Sequence, residues 1–217
     1  MNQKQMLVST VALVALFGLL YGIYALIGGG PDASLITKIK SEKPAARTKW
    51  NREAAHTLTV FSDHQCPACK TYHEYLSEFE ASSSANNSIT KNTAFVFRYF
   101  PLYQIHEHAF PLAYAAEAAG RQNKFEEATN RFFADQIKLE GIKDLTPYFS
   151  QVAKDLKLDE KKFIADMDDK ALQSVIQDDL ALGEKLGVNS TPSFYLDGDK
   201  LDSMSPDALS KLLRELK

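Results

Sequence analysis

The chain holds only two cysteines in 217 residues. A small secreted scaffold stapled by disulfides carries more bridges at longer spacings, so that class is excluded. Neither sign of charge dominates: 25 lysines and arginines face 28 acidic residues, for a net charge of -3. Without a basic stripe there is no footprint for nucleic acid. Ten glycines and eight prolines are too few for a collagen-like or low-complexity chain, and no internal repeat is present. Past an apolar run at the N-terminus, roughly 160–170 residues of ordinary globular composition remain. That is enough for one domain with a core, or a core plus an insertion.

The apolar run, residues 7–27, reads LVSTVALVALFGLLYGIYALI and carries no charge. About 21 residues at 1.5 Å each reach roughly 30 Å, the hydrocarbon thickness of a bilayer. Tyr21 and Tyr24 suit an interfacial end. The run exceeds the about 7–15 apolar residues of a cleavable signal, and the following GGGPDAS offers no convincing Ala-x-Ala site. The expectation is an uncleaved signal anchor over residues 1–27; a cleaved signal and a buried helix are the alternatives. Charge counting conflicts on orientation. Lys4 precedes the run, whereas Lys38, Lys40, Lys43, Arg47 and Lys49 follow it, which favours a cytoplasmic C-terminus. Those residues begin about ten positions beyond the run, and large domains translocate largely regardless of such charge. The expected placement is therefore single-pass with an extracytoplasmic domain. Residues 28–55 begin GGGP, have no sustained apolar stripe and read as a linker, with the domain over 56–217.

From His56 the pattern changes. Residues 56–62 are β-prone and apolar, as in a buried strand. Cys66 opens a helix: Pro67 suits the first turn, and Tyr72, Tyr75, Leu76 and Phe79 recur at helical spacing. Residues 81–88 (ASSSANNS) read as a loop, and 93–100 as a second strand stopped by Pro101. Helices are expected over 109–120, 124–136 and 171–186, with Thr146 and Asp159 capping two more and Gly187 closing the last. Residues 192–196 form a short strand, Asp197-Gly198 a hairpin turn towards Lys200 and Leu201, and Ser205-Pro206 cap a final helix. This order implies a mixed α/β sheet with helices on its faces and a helical insertion at about 103–169. Within the insertion, Phe110, Leu112, Phe125, Phe132 and Phe133 read as core, and His106 and His108 receive no role.

The cysteines form Cys66-Pro-Ala-Cys69. A bridge over so short a loop constrains the unfolded chain little, so chemistry is a better reason for the pair than stability. Three apart in a first helical turn, the side chains are neighbours at about 5–6 Å, near disulfide range. A thiolate there meets unsatisfied backbone N–H groups and the positive end of the helix dipole, which lowers its pKa. Cys66 is then the exposed, attacking thiol and Cys69 the resolving one. His64 and Lys70 are candidates for tuning Cys66. Two other readings stay open on spacing alone. Zinc accepts ligands of the types that His64, Cys66, Cys69 and His73 supply, although three of them share one short helix and no second ligand pair lies elsewhere. The pair could also be structural. The expectation is no metal and no cofactor.

A second motif narrows the choice. Residues 187–198, GVNSTPSFYLDG, start a strand at Pro192 about 125 residues after the cysteines. With FSDHQCPACKTYH, FRYFPL and HEHAFPLAYAAEAAGRQNKFEEATNRFF, this makes the chain resemble the DsbA-like membrane-anchored thiol–disulfide oxidoreductases of the thioredoxin-like superfamily, from about Thr57 onward. The resemblance implies a thioredoxin-like fold with a helical insertion, a cis Thr191–Pro192 bond facing the cysteines, and a substrate site of Pro67, Ala68, Thr191 and Pro192. It implies an oxidase on a bacterial cell membrane that donates the Cys66–Cys69 disulfide to translocated thiol-containing proteins. A DsbB-like or vitamin K epoxide reductase-like membrane partner would reoxidise it. A disulfide reductase or isomerase, or a tethered binding or chaperone module with a structural disulfide, are the alternatives. Two departures matter. Where the superfamily commonly has a buried acid six residues before the first cysteine, this chain has Val60, and Asp63 lies too near the loop to be an obvious substitute. Pro67-Ala68 also lacks the histidine of strongly oxidising relatives, so a milder oxidant is expected.

Overall fold

The computed structural model describes residues 3–27, 32–82 and 88–216. It divides into two compact units, Met1–Ser34 and Leu35–Lys217. The first unit contains one helix, α1 (Gln3–Ile27), on which Leu13, Val14, Phe17, Leu19 and Tyr21 are half or more exposed. Among the described residues no helix is long and apolar enough to cross a membrane. The transmembrane helix expected over 7–27 is therefore not supported.

The second unit follows the expected order with an addition at its start. Helix α2 (Ala33–Ser41) is followed by a 3-10 turn (Ala45–Arg47), β1 (Thr48–Trp50), β2 (His56–Ser62), α3 (Pro67–Ser82), α4 (Ser88–Asn92) and β3 (Thr93–Tyr99). Most of the loop expected over 81–88 lies outside the described residues. The insertion supplies α5 (Ala109–Gly120), α6 (Phe125–Ala134), α7 (Gln136–Leu139), α8 (Thr146–Asp155) and α9 (Glu160–Met167). The chain returns through α10 (Lys170–Lys185), β4 (Ser193–Leu196), β5 (Asp199–Lys200) and α11 (Pro206–Arg214).

The five strands lie in the order β1-β3-β2-β4-β5. β2 and β3 are parallel, pairing Thr59 with Val96, and every other pair is antiparallel. Parallel neighbours need a crossover, which α3 and α4 provide. Both central strands are buried almost throughout, on two faces, and their polar residues Thr57, Thr59, Ser62, Thr93 and Arg98 are buried with the apolar ones. Helix α5 buries Ala113, Ala115, Ala116, Ala118 and Ala119; such small side chains let neighbouring backbones approach closely. Leu112, Phe125, Phe132 and Phe133 enter the core as expected, while Phe110 packs at its margin.

Local signals set the ends of the elements. At Gly187, φ is +73°; its N–H bonds to the Glu184 carbonyl, and that of Val188 bonds to Gly183 at 2.9 Å, closing α10 with a left-handed cap. Asp197 and Gly198 both have positive φ, as a two-residue hairpin turn requires. Asp159 and Ser205 accept bonds from Lys162 N and Ala208 N. Thr146 starts α8 one residue inside the cap expected of it, and its N–H donates to Asp144 at 2.9 Å.

The linker expected over 28–55 is not a spacer beyond Leu35. Ile39 is buried, and its carbonyl accepts from the Thr59 hydroxyl at 3.1 Å. β1 pairs with β3 from Thr48 to Trp50. Arg47, within the expected linker, is buried with Arg98 against Asp179 of α10; Arg98 Nη1 lies 2.8 Å from Asp179 Oδ1, and Arg47 Nη1 bonds Oδ2. Glu117 takes Arg47 Nε at 3.2 Å, and Tyr99 N–H donates to Asp179 at 3.1 Å. Two buried guanidiniums share one buried carboxylate, and the clasp fixes Arg47, at the entry to β1, to β3 and α10.

Candidate active site

β2 ends at Ser62, and four residues turn the chain into α3. Asp63 organises that turn although its side chain is fully buried. Its Oδ1 accepts from Gln65 N at 2.8 Å, and its Oδ2 from Leu102 N at 2.7 Å and His106 Nδ1 at 2.8 Å. The Asp63 carbonyl receives the Cys66 N–H, and the Cys66 carbonyl receives the Lys70 N–H, both at 3.1 Å. Cys66 therefore stands at the cap of α3, with Pro67 in its first position, where no N–H is required.

The insertion clamps the same turn. Gln136 of α7 donates to the carbonyls of His64 (2.7 Å) and Cys66 (3.0 Å), and Gln65 Oε1 accepts from His108 N at 2.5 Å. Sequence reasoning missed Asp63, His106 and Gln136, because their partners lie about 40–70 residues away. The signal within reach was Asp63 itself, an acid beside a buried strand.

Both cysteines are reduced. Cys66 was expected to be exposed, yet only 6% of its surface is accessible, against 2% for Cys69. The reason is the Thr191–Pro192 segment, whose peptide bond is cis: the Cys66 thiol lies 3.3 Å from the Thr191 carbonyl. The two thiols hold their protons differently. Cys66 is lowered from 9.0 to about 6: a hydrogen bond from Cys69 is the largest cause, and Thr191 and the backbone N–H groups of Cys69 and Ala68 outweigh burial. Cys69, one turn into the helix, is pushed well up by burial and by its neighbour Cys66.

The expected tuning residues are placed elsewhere. His64 is buried among Phe97, Tyr99, Phe132 and Phe133, and burial lowers its pKa to about 3, so it brings no charge to Cys66. Lys70 reaches towards Glu74, 3.6 Å away. The histidine electrostatically tied to Cys66 is His106 instead. Its pKa is raised, first by the hydrogen bond to Asp63, and also by the Cys66 charge. The zinc arrangement does not assemble: His64 Nε2 meets Thr129, His73 Nε2 meets Asn130, and no metal-holding group of three or more is found among the described residues. Val60 is buried in β2 as an ordinary core residue.

Beside Cys66 runs a groove of about 660 Å³ lined by Pro67, Lys70, His106 and the exposed Ile105 and Ile137.

Comparison with known proteins places this geometry. The family profile described as Thioredoxin matches residues 45–215. The structure of the thiol-disulfide exchange protein alpha-DsbA2 from Wolbachia pipientis superposes with a TM-score of 0.67 at 17% identity, over 85% of this chain and 95% of that one. Oxidised BdbD from Bacillus subtilis gives 0.66 at 17% identity, over 81% and 96%. Among curated proteins, the Na(+)/H(+) antiporter NhaA 1 of Mycobacterium sp. (strain KMS) is 27% identical over 173 residues, 78% of this chain and 26% of that protein. The chain thus spans about a quarter of the length of that relative.

Proposed function

This chain belongs to the thioredoxin family, and from that premise we propose that it is a thiol–disulfide oxidoreductase with Cys66 as nucleophile and Cys69 as resolving thiol. One observation carries the reading: two thiols one helical turn apart, one lowered to about 6 and the other pushed well up. The thiolate is the attacking species, so Cys66 engages a partner first and Cys69 closes the exchange. Pro67 and Ala68 flank the nucleophile, and Thr191 and Pro192 cover it, which makes these four the contact site for a partner's backbone. The adjoining groove, where the exposed Ile105 and Ile137 stand among polar side chains such as Lys70 and Glu74, suits a polypeptide that carries the thiol or disulfide.

The direction we propose is oxidation. A lowered Cys66 pKa stabilises the dithiol form, which makes the disulfide a better oxidant; about 6 falls between the thioredoxin value of about 7 and the DsbA value of about 3.5. A membrane redox partner, DsbB-like or vitamin K epoxide reductase-like, would restore the disulfide. The tether and the extracytoplasmic placement belong to the same proposal. The tether is supported by the uncharged residues 7–27 and by the exposed apolar side chains of α1, and the extracytoplasmic side follows from the oxidising direction proposed for the exchange.

Two measurements test it. Cys69→Ala should accumulate mixed disulfides through Cys66; a chain that accumulates none is a binding module and not an exchanger. The potential against glutathione should lie near about -120 to -180 mV, and a value close to about -270 mV would instead mark a reductase.

A further inference from the structure

In any direction of exchange, the Cys69 sulfur must lose or regain a proton. It does so in a buried place, where the thiol holds its proton firmly. A cavity of about 20 Å³ adjoins this sulfur, lined by Val60, Ser62, His73, Phe133 and Pro192 among others. That volume admits one water molecule. No carboxylate lines it. Tyr72 also borders the cavity, but its hydroxyl is committed to the Met204 carbonyl. Ser62 shares a hydrogen bond with Cys69. The remaining polar group is His73, four residues after Cys69 and thus on the same face of α3, one turn along.

His73 has a second side. It also lines an outer cleft of about 410 Å³ with Lys49, Glu126 and Asn130. Its Nε2 lies 2.5 Å from Asn130 Oδ1, an acceptor, so Nε2 carries the proton and Nδ1 keeps its lone pair. The ring packs on Phe133 at 4.7 Å between centroids. The charged groups that face it are Lys49 of β1, Glu74 of α3 and Glu126 of α6. Burial, the largest influence, keeps the imidazole neutral and so able to accept a proton.

We propose that His73 is the proton-transfer residue of the resolving step, linking Cys69 to the outer cleft through the water-sized cavity, with Ser62 bonding the Cys69 thiolate. The inference rests on the exchange reading above. In the mixed disulfide, Cys66 is bonded to the partner's sulfur. The Cys69 proton passes through a cavity water to His73 Nδ1, and the thiolate attacks Cys66. The bond between Cys66 and the partner breaks, and the partner's sulfur leaves with the electron pair and takes a proton from solvent. In this step the Cys69 sulfur is oxidised from thiolate to disulfide level, the partner's sulfur is reduced from disulfide to thiolate level, Cys66 stays at disulfide level, and His73 returns its proton at the cleft. Over the whole exchange the Cys66–Cys69 dithiol loses two electrons to the partner's disulfide. The reverse path delivers a proton to Cys69 when it is the leaving group.

The test mixes the reduced full chain with oxidised glutathione, quenches with acid, and counts the Cys66–glutathione adduct and the internal disulfide by mass spectrometry from about pH 5 to 8. For His73→Gln, the adduct should form at the parent rate but resolve about tenfold or more slowly, with the rise of resolution rate with pH flattened. Added imidazole should restore part of the rate in His73→Ala. Equal resolution in His73→Gln and parent across the range overturns the proposal. If these variants do not fold, the unaltered chain in heavy water decides: slowing confined to resolution supports the relay, and its absence overturns it. The two readings fail separately. No adduct in the parent chain sinks the exchange reading, whereas an adduct that resolves equally in both chains sinks only the relay.

Discussion

Cys66 and Cys69 are neighbours on one helix turn yet release their protons under opposite influences. Capping N–H groups and the Cys69 thiol favour the Cys66 thiolate; burial opposes that of Cys69. In the reduced protein the Cys66 thiolate contributes stability that is fully present above the unfolded thiol's value, 9.0. It is lost as pH falls through about 6. Thiolate absorbance of the reduced chain should therefore titrate near 6, and a midpoint at the unfolded thiol's value would contradict this. Denaturant unfolding should show the same linkage. Between pH 9 and 6 the reduced chain should lose stability relative to its Cys66→Ser variant, at up to about 1.4 kcal/mol per pH unit. His64 teaches a different lesson at this scale. Standing two residues before the nucleophile, it reads from sequence as part of the site, but the aromatic rings of β3 and α6 enclose it.

Among the elements, the segment from α2 to β1 changes the boundary of the domain. A chain beginning at residue 35 should unfold as one cooperative transition. A chain beginning at residue 56 removes β1 and Arg47 and leaves Arg98 and Asp179 with an incomplete clasp. Breaking such a buried charge set costs about 3–5 kcal/mol, so its denaturation midpoint should fall sharply; coincident curves for the two chains would refute this account. The same segment shows why part of the fold was illegible in the sequence. Pro67, Gly187 and Asp197-Gly198 act within a few residues, and the elements they bound were readable. β1 is three residues long with Lys49 at its centre, and it exists because β3 pairs with it and Asp179, 132 residues from Arg47, neutralises its entry. The site divides in the same way. The cysteine pair and the Thr191–Pro192 loop were marked by motifs, whereas Asp63, His106 and Gln136 gain their roles only from contacts that the folded insertion creates. The insertion is thus a clamp on the cysteine turn as well as a packed core.

At the scale of the whole molecule, the proposed tether is open to direct test. The full chain should remain with membranes after high-salt and alkaline washes, and a chain lacking residues 1–27 should be released. In intact cells an impermeant thiol reagent should label Cys66 of the reduced protein; labelling only after the inner membrane is broken would reverse the proposed orientation. The outline of the sheet carries a further consequence. Its borders are β1, three residues with Lys49 in the middle, and β5, two residues with Lys200 at its end. Short, charged borders give an incoming strand almost no backbone to zip onto. A catalyst that handles polypeptides before they have settled is surrounded by loose strands seeking a template. This one denies them a seam, so a client is held at the sulfur and set free when the sulfur lets go.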